Sequence, residues 1–293
     1  MNILQAIFLG LVQGLTEFIP VSSTAHLVFA ARIVSLYGGA DKILQAEQTT
    51  ATIAVIQLGT LLAVLIYFAR DIVEILRAFI TDHLAWLRGR SEPGQPKLSQ
   101  KAWLGWLVII GSIPVGTIGL ALKKIIEGPA TKNLWVIATM MIVVGVLLMI
   151  AEIVGRRDHD MEYLRVKDAL AVGFAQCLAL IPGSSRSGST IMGGLFAGLT
   201  RETAARFSFL LSIPAVAASG LLELKEAMHK LPHGSYGSLA VATIVSGVVG
   251  YASIWFLLRY LRTHSTALFI VYRVIVGGLI LAALSVGYIS GSI

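Results

Sequence analysis

Long stretches of this chain carry no Asp, Glu, Lys or Arg. Six of them, 48–69, 102–122, 133–151, 207–222, 234–258 and 274–293, approach or exceed the roughly 20 apolar residues a helix needs to cross about 30 Å of hydrocarbon. The fourth is short at this strict limit, and the last is expected to begin near Ala267, taking Arg273 inside it. The pattern predicts six transmembrane helices.

Two further apolar stretches do not read as simple spans. Residues 3–34 are interrupted by Pro20-Val21-Ser22-Ser23-Thr24, and residues 169–199 by Pro182-Gly183-Ser184-Ser185-Arg186-Ser187-Gly188-Ser189-Thr190. A proline followed by small polar residues ends one helix and opens the next, with Thr24 a candidate N-cap for the returning helix. Unpaired backbone at membrane depth is tolerated only where protein or a wet cavity surrounds it. Each stretch is therefore expected to be a re-entrant helical hairpin with its tip inside the bilayer.

The two hairpins resemble each other. Gly10, Gln13 and Gly14 fall on Gly173, Gln176 and Cys177, and one residue of slippage brings Pro20, Ser22 and Ser23 onto Pro182, Ser184 and Ser185. Ser112-Ile113-Pro114 and Ser212-Ile213-Pro214 do not share that register. The chain thus divides into two repeats, 1–155 and 166–293, within a single integral membrane domain. With one hairpin and three spans in each, the second repeat is expected to be inverted, an architecture that places a site where the repeats meet.

Composition agrees. Of 293 residues, 56% are hydrophobic and 13% charged, with mean hydropathy +0.81, where soluble proteins carry about 25% charged residues. An ordinary soluble enzyme, a disordered chain and a nucleic-acid reader are excluded. Cys177 stands alone, so no internal disulfide forms. The net charge of +7 reads as topology: segments 70–101, 155–168, 200–206 and 259–267 hold 14 basic residues, against 6 in 36–47, 123–132 and 223–237. The richer side is expected to be cytoplasmic, leaving both termini and the entrance of the first hairpin outside. No basic segment precedes the first apolar run, so no cleaved signal peptide is expected. Segment 70–101, with Pro93, Gly94 and Pro96, reads as a connector.

Ionisable groups at membrane depth cost about 2.5–3.5 kcal/mol each on insertion scales and mark function. Gln13 and Glu17, four residues apart, share one helix face, and Ser22, Ser23, Thr24 and His26 follow at the first tip. The second tip gathers Gly183, Ser185, Arg186, Ser187 and Thr190 where a helix begins. Amide groups at a helix N-terminus bind anions, and a guanidinium offers a planar fork to phosphate oxygens. A basic cradle facing a carboxylate, an imidazole and hydroxyls suits phosphoryl transfer, and a phosphate handled inside a bilayer is most simply a lipid phosphate.

At this point the chain resembles the bacitracin-resistance type undecaprenyl-diphosphatases. The resemblance rests on Gln13-x-x-x-Glu17, on Phe18-Ile19-Pro20-Val21-Ser22-Ser23-Thr24-Ala25-His26, and on the P-G-x-S-R-S-x-x-T pattern met at every fixed position by Pro182–Thr190. The family motif allows Glu or Gln at position 13; Gln there leaves one formal carboxylate. Many relatives carry Gly where this chain has Ala25. The resemblance implies an all-α polytopic protein of six spans and two re-entrant hairpins in inverted repeats. It implies a bacterial cytoplasmic-membrane enzyme that removes the terminal phosphate of undecaprenyl diphosphate near the outer face, recycling the carrier lipid of peptidoglycan synthesis. It also implies a divalent cation, Mg²⁺ or Ca²⁺, and bacitracin resistance.

The expected site places Arg186, Ser185, Ser187, Thr190 and Gly183 on the diphosphate. Glu17 acts as metal ligand or general base supported by Gln13, His26 handles protons, and Ser23 is the preferred nucleophile. A phosphoserine, a phosphohistidine and direct attack by water all fit the residues. The competing class is a lipid-phosphate transporter or flippase using the same cradle. Membrane lipids are the expected surroundings, and a homodimer is compatible with the sequence.

Overall fold

The computed structural model describes residues 1–37, 42–89, 98–122, 133–230 and 236–291, and every regular element among them is a helix. The first is α1, Ile3–Phe18, opened by a capping box in which the Asn2 and Gln5 side chains each accept the other's backbone N–H at 2.8 Å. It stops two residues before Pro20, and the chain returns as α2, Ser23–Ile33. There follow α3 (Lys42–Tyr67), α4 (Ala69–Leu87), α5 (Gln100–Ala121) and α6 (Leu134–Val154). The second broken stretch forms α7 (Val166–Cys177), continued by a single 3₁₀ turn, and α8 (Arg186–Phe196). The last three are α9 (Arg201–Lys230), α10 (Tyr236–Leu261) and α11 (Ala267–Ser285).

Among the described residues, five segments are long and apolar enough to cross a membrane: Glu47–Tyr67, Gln100–Ala121, Leu134–Val154, Tyr236–Leu261 and Ala267–Ser285. The chain is an all-helical polytopic membrane protein. The remaining expected span, 207–222, lies within α9, which is 30 residues long and opens with Arg201, Glu202 and Arg206. Segment 200–206 is therefore largely helical and not a loop.

Segment 70–101 is more than a connector. It holds α4, whose Val73, Leu76, Ile80, Leu84 and Leu87 form an exposed apolar stripe at helical spacing. A neighbouring face lies across the start of α5, with Phe79 and His83 against the Trp106 ring and the Trp106 indole N–H donating to His83 Nε2 at 3.1 Å. Arg70, Asp71, Glu74, Arg77 and Asp82 break this helix into runs too short to stand out as apolar. Pro93, Gly94, Pro96 and segment 123–132 lie outside the described residues.

Close helix crossings set the architecture. On α1, a Cβ at Gly10 would fall 2.5 Å from the Ala242 carbonyl oxygen of α10; on α7, one at Gly173 would fall 2.3 Å from the Gly111 carbonyl oxygen of α5. Both glycines are there because two backbones touch. Some further pairings correspond: α3 packs on α10 as α9 packs on α5, while α3 meets α9 and α6 meets α11; α8 also packs on α6 and α9, where α2 packs on α1. Phe18, Phe68, Phe207 and Phe209 are fully buried at the centre, with the Phe18 and Phe209 rings edge to face at 5.3 Å.

The four basic segments gather at one end. Glu152 accepts from Arg157 Nη1 at 3.1 Å, from Arg201 Nε at 2.7 Å and from the Thr266 hydroxyl at 2.7 Å. Arg206 reaches Asp71 at 3.2 Å, and Arg262 reaches Glu202 at 2.7 Å.

Candidate active site

Each hairpin tip turns through a serine with a left-handed backbone. Ser22 has φ 79° and precedes α2, and Ser185 has φ 66° and precedes α8. This corrects the sequence register by one residue, since Ser22 stands opposite Ser185 and not Ser184. It also removes Thr24 as the N-cap, because Thr24 already lies inside α2. The Ser185 hydroxyl accepts from the Gly188 N–H at 3.2 Å and so caps α8. Ser22 makes no equivalent capping bond.

Arg273 of α11 joins the two tips. Although fully buried, it faces carbonyl oxygens only: Nη1 donates to Pro20 at 3.3 Å, and Nη2 to Gly183 at 3.1 Å and Ser184 at 2.9 Å. Its Nε donates to Met141 at 3.0 Å, anchoring the arrangement to α6. A guanidinium inside an apolar run is a signal visible in the sequence, but its carbonyl partners lie 89 to 253 residues away along the chain.

The chemistry meets beside these tips. Arg186 Nη2 donates to Glu17 Oε1 at 2.9 Å. The other carboxylate oxygen, Oε2, accepts from the Ser23 hydroxyl at 2.9 Å and from Gln13 Nε2 at 3.1 Å. Gln13 Nε2 also approaches the Thr60 hydroxyl of α3 at 3.3 Å, a residue the sequence did not mark. Glu17 and Gln13 are buried. A narrow crevice lined by Glu17, Arg186, Thr60, Val64, Ser212 and Val216 lies beside them, with about 170 Å³ of empty space but nowhere wide enough for a water molecule. A wider apolar groove with about 790 Å³ of empty space, along Gly59, Ala63, Gly247 and Tyr251, holds none of these polar groups and is not the site.

Other expected residues take different places. The Ser187 hydroxyl bonds Ser185 Oγ at 3.2 Å and the Ile19 carbonyl at 3.4 Å, stitching one tip to the other. Thr190 is buried, with its hydroxyl donated to the Arg186 carbonyl at 2.8 Å and paired with Ser208. Gly183 has φ 94°, and a Cβ there would lie 2.2 Å from the Ile137 carbonyl oxygen, so close packing on α6 already demands glycine. His26 is not hydrogen-bonded to Glu17. Its Nδ1 lies 2.7 Å from the Ser22 carbonyl oxygen and its Nε2 lies 2.6 Å from the Tyr272 hydroxyl.

Several polar atoms here are buried with no hydrogen-bond partner among the described residues: Gln13 Oε1, Ser22 Oγ, Ser184 Oγ, Ser189 Oγ and Arg186 Nη1. Buried polar groups are ordinarily paired, so their concentration at the tips marks a place built for a polar ligand. A divalent cation fits this donor set only with help. Among the described residues there is no cluster of three His, Cys, Asp or Glu, and what remains is the Glu17 carboxylate with the unpartnered Gln13 Oε1. Mg²⁺ is commonly held by one or two carboxylates together with substrate phosphates, and this pair meets that description.

Comparison with known proteins adds an independent line. The model of the family described as bacitracin resistance protein BacA matches residues 6–279. An undecaprenyl-diphosphatase of Syntrophobacter fumaroxidans is 53% identical over 281 residues, covering 96% of this chain and 97% of that protein. Those of Chloroherpeton thalassium and Mycolicibacterium gilvum are 47% and 46% identical, over 98% and 99% of both chains respectively.

Proposed function

Since the chain belongs to the BacA family, we propose that it hydrolyses undecaprenyl diphosphate to undecaprenyl phosphate and inorganic phosphate. Relatives that match it nearly end to end carry that name. The observation that carries the reading within this molecule is the Arg186–Glu17 contact at 2.9 Å, made between residues from opposite halves of the chain.

The Arg186 guanidinium, with Nη1 unpartnered, binds the diphosphate oxygens together with Ser185, Ser187 and the amide groups that open α8. Ser23, already donating to Glu17 Oε2, passes its proton to that carboxylate as its oxygen attacks the terminal phosphorus. The bond from phosphorus to the bridging oxygen breaks, and undecaprenyl phosphate leaves. Water then attacks the phosphoserine, the Ser23 oxygen leaves by taking back the proton held on Glu17 Oε2, and inorganic phosphate is freed as H₂PO₄⁻. His26 moves protons through Nε2 during these steps. A divalent cation, Mg²⁺ or Ca²⁺, would be held by Glu17 and Gln13 and supplies charge neutralisation at the phosphate oxygens. Positioning and neutralisation carry most of the catalysis in such reactions.

The reading extends to the architecture. Six spans and two re-entrant hairpins, in repeats 1–155 and 166–293 of opposite sense, account for why α1 meets α10 as α7 meets α5. Basic segments gathered at one end suit a cytoplasmic face, with the first hairpin entering from the outer face of a bacterial cytoplasmic membrane. The deciding experiment is phosphate release from undecaprenyl diphosphate by the pure protein in detergent, where no gradient exists. An enzyme turns over there; a carrier of the same lipid does not.

A further inference from the structure

His26 stands four residues beyond Ser22, so its Nδ1 reaches back to the Ser22 carbonyl oxygen at 2.7 Å. A carbonyl oxygen only accepts, so Nδ1 carries the proton and the neutral ring keeps its lone pair on Nε2. That lone pair faces the Tyr272 hydroxyl at 2.6 Å. The two rings are stacked, with centroids 5.6 Å apart and planes 15° from parallel. Tyr272 immediately precedes Arg273, so one turn of α11 holds the imidazole with one side chain and both hairpin tips with the next.

We propose that Tyr272 is a positioning residue for the hydrolysis, acting through His26. The inference rests on the reading above, in which His26 moves protons. A hydroxyl both donates and accepts. When the ring is neutral, the tyrosine donates its proton to Nε2; when Nε2 takes a proton, the same oxygen turns and accepts it. Both charge states keep a partner, and the ring keeps one tautomer and one orientation throughout. Phenylalanine preserves the stacking and offers neither bond. Tyr272 is 41% exposed, so losing the hydroxyl leaves the packed interior as it is.

The test uses the full chain in detergent, comparing Tyr272→Phe and His26→Gln with the native sequence. For Tyr272→Phe, kcat falls about 10–100-fold, the size of loss known for outer hydrogen-bond partners of metal-bound histidines, with KM held within about twofold. Its thermal midpoint stays at the native value. Imidazole ¹⁵N spectra, with His26 assigned by its absence in His26→Gln, give an Nδ1–H tautomer in both proteins, fixed by the Ser22 carbonyl, and a native Nε2 resonance shifted by a hydrogen bond that Tyr272→Phe lacks. Native kcat in Tyr272→Phe alongside an inactive His26→Gln overturns the inference and leaves the hydrolase reading standing. So does an Nε2–H tautomer in the native protein. A rise in KM at constant kcat makes Tyr272 a substrate contact, and full activity in His26→Gln removes the proton role and this inference together.

Discussion

Ser22 and Ser185 share one rare backbone conformation, φ 79° and 66°, each at the point where a helix returns from a hairpin tip. Non-glycine residues held there cost of order 1–3 kcal/mol each and persist only where surroundings dictate them. Arg273 supplies those surroundings by taking the carbonyls of Pro20, Gly183 and Ser184 into a single guanidinium.

Arg273→Leu should therefore unfasten both tips. Three loop carbonyls lose their donor, at about 1–3 kcal/mol for each buried acceptor left unpaired. We expect the thermal midpoint to fall steeply and turnover to vanish, with Arg273→Lys intermediate because an ammonium has fewer donors in a fixed plane. Thermal unfolding in detergent reads this directly, and an unchanged midpoint would remove Arg273 from the role.

Ser22→Gly separates strain from chemistry. The Ser22 side chain makes no capping bond, and its hydroxyl is buried without a partner. Glycine accepts positive φ freely, so relief of about 1–3 kcal/mol of strain outweighs the roughly 0.4–1 kcal/mol of extra chain entropy that glycine loses, and the substitution should raise stability while lowering turnover through loss of the hydroxyl. Loss of stability would show that the Ser22 side chain is bonded.

Replacing Glu17 or His26 by Ala should lower kcat by about 10²–10⁴, the range for a general acid–base group. Ser23→Ala belongs with them, since its hydroxyl is the group Glu17 accepts from at 2.9 Å. Steady-state phosphate release measures all three. Losses under about tenfold would return a residue to a structural role.

The proposed cation would rest on the single carboxylate of Glu17 and on Gln13 Oε1. A chelator should abolish phosphate release, and Mg²⁺ or Ca²⁺ should restore it. Gln13→Glu places a second carboxylate beside Glu17 and should lower the cation concentration needed for half-maximal turnover. Full activity in the chelator would end the metal assignment.

Much of this arrangement was legible in the chain. Apolar runs located the helices, and Pro20 and Pro182 located the two tips. Gly10 and Gly173 aligned before their shared role in close helix crossings was visible. Glu17, Ser23 and Arg186 declared themselves as polar groups where burial is costly. What stayed hidden was relational. The register of the tips depends on backbone torsions that Ser-Ser-Thr and Ser-Ser-Arg spell alike, so a one-residue shift could not be read. α4 escaped because its charges interrupt a stripe that only helical spacing reveals. Tyr272 and Arg273 gained meaning only from residues some 90 to 250 positions away.

The central claim is that residues 17 and 186 enclose one diphosphate, and the most direct measurement is phosphate release by Arg186→Ala beside the native chain. The account predicts a folded variant, with its thermal midpoint near the native value, and turnover reduced to background. A folded Arg186→Ala that releases phosphate at the native rate would contradict it.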